Sequence, residues 1–212
     1  MLRHIIIASA VASSASAIGS GISDFQVELR ARNVAAGIPV PSAPQLSALR
    51  HSFVVFEHFS MCTFTRCQWN TAVSPASDYA PPDDGPNVLQ WMKTVKAMGA
   101  TQMCLTVRHV GGFAQWQTNT SDYGVKESNW RGGKGDFVAD FVAAARAEGI
   151  SPCFYIILGF DIRANHSGVP GPTYLDNQVQ ALTELLTRYG QIDRLWWDSK
   201  YANTPDPPPA RH

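Results

Sequence analysis

An α/β fold of the (β/α)8-barrel type, with only about its first four β/α units present, is predicted by three features of the sequence. Short apolar, β-rich runs alternate with segments whose apolar residues recur at helical spacing. The runs are apolar throughout rather than at every second residue, as strands covered on both faces are. No Gly-x-Gly-x-x-Gly follows any of them, which disfavours a doubly wound nucleotide-binding sheet.

The elements follow in order. Residues 1–17, MLRHIIIASAVASSASA, combine Arg3 and His4 with a short apolar stretch and the small-x-small triplet Ala15-Ser16-Ala17. That is the layout of a secretory signal cleaved after Ala17, and it predicts export to the extracellular space or a vacuolar-lysosomal compartment. Residues 18–50 read as an irregular leader, with Pro39-Val40-Pro41-Ser42-Ala43-Pro44 extended. Phe53-Val54-Val55-Phe56 is the first strand. Val88, Met92 and Val95 share one face of a helix that Gly99 stops. Met103-Cys104-Leu105-Thr106-Val107 is the second strand. Asp136 caps a helix carrying Phe137, Val138, Phe141, Val142 and Ala145 on one side, and Gly149 ends it. Cys153 to Leu158 is the third strand. Leu175, Val179, Leu182 and Leu186 form the next apolar stripe, closed by Gly190, before the fourth strand, Leu195-Trp196-Trp197. A complete barrel takes about 250 residues, so residues 51–199 hold roughly half of one. Residues 200–212, with Pro205-Asp206-Pro207-Pro208-Pro209, read as a disordered tail.

Composition narrows the function classes. Lys plus Arg and Asp plus Glu are 17 each, for zero net charge, so no excess of cations is available to hold a phosphate backbone. No apolar run reaches the roughly 18 residues of a membrane-spanning helix. Asn119-Thr120-Ser121 and Asn165-His166-Ser167 are N-glycosylation acceptor triplets. Cys62, Cys67, Cys104 and Cys153 are even in number and match no zinc-ligand spacing. Pairing in an oxidising compartment and burial as free thiols both fit them.

Barrel enzymes carry their reacting groups at the C-terminal ends of the strands. Three strands here end in residues able to do chemistry: Glu57-His58, Arg108-His109 and Asp198. The following loops add Trp69, Phe113 and Trp116. Aromatic rings among a few polar groups suit a sugar, whose C–H faces pack on rings while its hydroxyls need hydrogen-bond partners. Pattern alone therefore points to a hydrolase or lyase on a barrel.

Five segments resemble the α-L-fucosidases of glycoside hydrolase family 29, in the family's order. They are Phe56 to Thr65; Gln68-Trp69; Leu105-Thr106-Val107-Arg108-His109-Val110-Gly111-Gly112-Phe113; Thr120 to Lys126 with Ser128-Asn129-Trp130 and Gly135-Asp136; and Tyr189-Gly190-Gln191-Ile192 with Leu195-Trp196-Trp197-Asp198. The resemblance implies the N-terminal part of a retaining exo-glycosidase that hydrolyses terminal α-L-fucosyl residues of oligosaccharides or glycoprotein glycans. It implies Asp198 as nucleophile, with His58, Gln68, Trp69, His109 and Trp196 binding fucose, and no metal or organic cofactor. Retention needs a second carboxyl group about 5–5.5 Å from the first, acting as acid and then base. The family often supplies it from sequence beyond the segments matched here, and no matched motif supports Glu57 or Asp161 in that role.

Departures from the pattern are specific. Val110 stands in place of a second histidine, Gly111 in place of Asp, and Gln68 in place of a glutamate, where an amide bonds a hydroxyl without charge assistance. Ser60 replaces glycine, and Glu57 puts a carboxylate at an apolar position. Two other readings stand beside the enzyme: a non-catalytic sugar-binding or pseudoenzyme fragment of the same fold, and a metal-dependent hydrolase using His58, His109 and Asp198 as ligands. Closely spaced paired histidines, usual for the last, are missing from the sequence.

Overall fold

The structure is a computed structural model that describes residues 24–67, 74–158 and 172–198. The signal sequence, Gln68, Trp69, Asp161, the Asn165 triplet and the Pro-rich tail lie outside the described residues. The chain divides into two compact units, residues 1–50 and 51–212.

The first unit corrects the expectation of an irregular leader. It contains helices α1 (Asp24–Ala35) and α2 (Ala43–Leu49). Ser42 caps α2, accepting from the Gln45 amide while the Gln45 side chain accepts from the Ser42 amide. Pro44 sits in the first turn, where its missing N–H costs no intrahelical bond. The prolines that suggested extended chain thus include one that starts a helix.

The second unit is built on four parallel strands: β1 (Val54–Glu57), β2 (Gln102–Arg108), β3 (Ser151–Ile157) and β4 (Arg194–Asp198), paired in the order β1-β2-β3-β4. A five-residue helix α3 (Met61–Thr65) follows β1, and α4 (Val88–Ala97), α5 (Phe137–Glu148) and α6 (Pro172–Arg188) precede β2, β3 and β4 in turn. Each strand pairs with the one before it, so crossovers of a single hand put α4, α5 and α6 on one face of the sheet. A doubly wound sheet reverses direction to cover both faces. The order found here is that of a barrel wall.

The two faces differ accordingly. On the helix side, Met103, Leu105, Val107, Phe154 and Ile156 join Val88, Met92, Phe137, Phe141 and Leu185 in one core. The opposite face holds a small cluster of Val54, Phe56, Cys104, Cys153 and Tyr155. Cys104 and Cys153 are register partners on β2 and β3, joined by a disulfide, which resolves the pairing that the sequence left open for these two.

Helices α4 and α5 begin and end where the sequence places them. Asn87 accepts from the Gln90 amide and Asp136 from the Ala139 amide, each occupying an otherwise unsatisfied donor of the first turn. Gly149 closes α5 at φ +71°, left-handed backbone that favours glycine. Helix α6 differs from expectation. Of its predicted apolar stripe, Leu175, Val179 and Leu186 are exposed and only Leu182 packs partly buried against the core, while Tyr174, Gln178, Ala181, Glu184 and Leu185 are buried. The physical reason is polar. The Arg108 guanidinium donates to Gln178, and Trp116 and Thr118 donate to Glu184, at 2.9 and 2.7 Å.

Candidate active site

The C-terminal ends of the four strands bring most of the expected site residues together. Phe56, Tyr155 and Trp196 project from β1, β3 and β4 onto the disulfide face, with Phe56 4.8 Å from Trp196 and 5.3 Å from Tyr155, centroid to centroid. His58 follows β1 and lies 4.3 Å from Phe56 and 5.2 Å, edge-on, from His109. His109 lies 5.8 Å from Tyr155. The Tyr155 hydroxyl donates to Asp198 Oδ2 at 2.9 Å. Asp198, His58, His109 and Trp196 therefore share one site.

A local irregularity in β2 makes this arrangement possible. Strict alternation would send Arg108 to the same face as Thr106 and Cys104. The β2–β3 register shifts between Thr106 and Arg108, so Arg108 pairs with Ile156, a residue of the helix-side core. The Arg108 side chain accordingly reaches Gln178 and lies 5.8 Å from the Trp116 ring. The next residue, His109, is delivered to the site face. Thr106, one turn of the pleat earlier, meets His58 Nδ1 through its hydroxyl at 3.0 Å. That contact orients the ring and leaves Nε2 as the nitrogen available to a ligand.

Electrostatics keep both imidazoles neutral near neutral pH. Burial, with the neighbouring His58, pushes His109 down to about 4, against the opposing pull of the Asp198 charge. His58 is more open, yet desolvation on its covered side also lowers it from its ordinary value. A neutral imidazole has one donor and one acceptor nitrogen; with Nδ1 of His58 held by Thr106, its Nε2 is left to meet a polar ligand group. Glu57, at the end of β1, is raised by desolvation. Val110 is buried. Among the described residues, no group of three His, Cys, Asp or Glu side chains is placed to hold a metal ion. A separate polar cavity of about 520 Å³ is lined by Arg108, Asn119, Asp122, Lys126, Tyr174 and Gln178, and includes none of Asp198, His58 or His109.

Sequence reasoning missed Tyr155. The residue sits within an apolar strand run, and nothing in Cys153 to Leu158 marks which side chain bears a hydroxyl toward Asp198. The register Tyr155↔Trp196 supplies that information, because it sets β3 and β4 side by side at this level.

A sequence profile described as alpha-L-fucosidase matches residues 78–208, more than half of the chain and including β2, β3, β4 and Asp198. The chain belongs to the α-L-fucosidase family. It is 36% identical over 163 residues to alpha-L-fucosidase 1 of Arabidopsis thaliana, covering 76% of this chain and 31% of that protein. Among solved structures, a glycoside hydrolase 29 family member from an unknown rumen bacterium superposes with a TM-score of 0.70 at 28% identity, over 79% of this chain and 30% of the other. An alpha-L-fucosidase of Bacteroides thetaiotaomicron matches with a TM-score of 0.63 over 76% of this chain and 41% of the other; at 20% identity it speaks to the fold alone. The chain spans about a third of the length of the curated fucosidases it matches.

Proposed function

We propose that this chain carries the nucleophile half of a retaining α-L-fucosidase that hydrolyses terminal α-L-fucosyl residues from glycans. The observation that carries the reading is the convergence of Asp198 with His58, His109, Tyr155 and Trp196 at the C-terminal strand ends. In this reading a carboxylate oxygen of Asp198 attacks the anomeric carbon, the glycosidic C–O bond breaks, and a fucosyl-enzyme ester forms. The Tyr155 hydroxyl holds the other carboxylate oxygen in place for attack. His58 and His109 bond sugar hydroxyls, and Trp196 packs on the apolar face of the ring. Water then cleaves the ester, and the two displacements together retain configuration. Retention requires a second carboxyl group, which protonates the leaving oxygen and then activates the water.

Export fits the same reading. Asn119 of the first acceptor triplet is exposed, and its backbone amide is fixed by Glu184 at 3.1 Å, so a glycan there would project from an ordered loop. The Cys104–Cys153 disulfide accords with an oxidising compartment.

The test is release of fucose from an aryl α-L-fucoside by the purified chain, beside Asp198→Ala. Loss of activity on the order of 10³-fold or more in the variant, with azide restoring turnover as the β-fucosyl azide, identifies Asp198 as nucleophile. The departures at Val110 and Gln68 favour a second reading, a sugar-binding chain without turnover, because each replaces a polar or charged residue of the family's pattern. Saturable fucose binding with no release from either protein would select it.

A further inference from the structure

We propose that Cys62 and Cys67 are a second oxidation site of this chain, closing into a disulfide that rings the end of α3. Their Sγ atoms lie 2.7 Å apart, far inside ordinary non-bonded contact and within a small rotamer change of the roughly 2.05 Å of a bond. Proximity this close across five residues of sequence requires the chain to double back. Arg66 makes that turn, at φ +53° and ψ +37°, a left-handed conformation uncommon for a residue with a side chain. The turn is held on one side by α3, where Thr65 Oγ1 donates to the Met61 carbonyl at 3.1 Å and meets Cys67 Sγ at 3.1 Å.

The helix itself is anchored. Met61 is buried, and Phe64 packs edge-on against Phe59 and Tyr79 at 5.6 and 5.1 Å. Both thiols are half-buried, open enough for a small disulfide reagent to reach them. Cys104 and Cys153 are fully buried and already joined to each other, so neither competes for the pair. The reaction is exchange with a small disulfide such as oxidised glutathione. One cysteine, as thiolate, attacks a glutathione sulfur and releases one glutathione; the second cysteine attacks the mixed disulfide and releases the other. Two protein thiols are oxidised to one disulfide, and one oxidised glutathione is reduced to two thiols. The closed ring fixes the left-handed turn at Arg66 and the direction in which the chain leaves α3.

Trypsin offers a direct reading, because Arg66 lies inside the ring. Cleavage after Arg50, Arg66 and Lys93 yields peptides 51–66 and 67–93, with Cys62 in one and Cys67 in the other. The purified chain is equilibrated in glutathione buffers, alkylated, digested without reduction and weighed. The expected product is 51–66 joined to 67–93, separated by dithiothreitol into two peptides that each accept one alkyl group. Half-closure is expected at an oxidised-to-reduced glutathione ratio roughly tenfold or more lower in native buffer than in urea, because the fold holds the thiols together. In Cys67→Ser, Cys62 is expected to accept alkyl or glutathione while Cys104–Cys153 stays closed. Separate, alkylated peptides at every ratio, a link from Cys62 to Cys104 or Cys153, or the same half-closure ratio in urea would each overturn the proposal. If the variant does not fold, the native-to-urea comparison on the unsubstituted chain still decides.

Discussion

At the residue scale, Tyr155 and His109 make separable contributions to one site. Removing the Tyr155 hydroxyl leaves the ring and its contacts with Phe56 and Trp196 in place. A hydrogen bond to a charged acceptor contributes about 1.5–3 kcal/mol, so Tyr155→Phe should lower kcat/KM roughly 10- to 100-fold in steady-state assays without changing the fold by circular dichroism. His109 predicts a pH effect. Its folded value, about 4, lies below the ordinary 6.5. In that window the unfolded chain binds a proton that the folded chain does not, so stability rises with pH from about 4 to 6.5. It is at its full value above 6.5 and declines as pH falls through that range. Urea unfolding across this range should show a shallower pH slope in His109→Gln than in the unsubstituted chain; equal slopes would remove His109 as the cause.

At the element scale, the instructive case is α6, because it shows what periodicity can and cannot convey. Two stripes run along it, and the more apolar one is mostly exposed, with only Leu182 partly against the core. Burial went to the stripe carrying Gln178 and Glu184, since these meet donors from β2 and the loop after it. Burial raises the Glu184 carboxyl, but bonds from Thr118, Trp116 and the Asn119 amide, together with Arg188, outweigh it and hold the group below its ordinary 4.5. The stabilisation is complete above that value and is lost as pH falls through the lowered one. Glu184→Ala leaves several buried donors without an acceptor and should cost about 2–3 kcal/mol by urea denaturation; a loss within experimental error would mean that the loop bonds contribute nothing. Strand positions, the Asp136 cap and the Gly149 stop were legible because each is local. The outward turn of α6, the Arg108 register shift and the Tyr155 contact were not, because each depends on a partner 43 to 70 residues away. Pro44 misled the reading of the leader for the opposite reason: proline fits extended chain and a first helical turn equally well.

At the scale of the whole molecule, the disulfide face is the side of the sheet opposite the helix-side core, and one covalent bond joins two of its strands. Cys104 and Cys153 are separated by 49 residues, so the bond restricts a long loop in the unfolded chain. Replacing both with Ala should lower stability by about 2–4 kcal/mol, seen as a fall in Tm of several degrees; an unchanged Tm would show that the bridge is neutral. The order of the strands has a further consequence, for synthesis rather than stability. Each strand docks on its immediate predecessor, so the growing chain never waits for a distant segment before extending the sheet as it leaves the ribosome. Asp198 ends β4, the last in chain order of the four described strands, so it meets His58 and His109 only after the other three have been laid down.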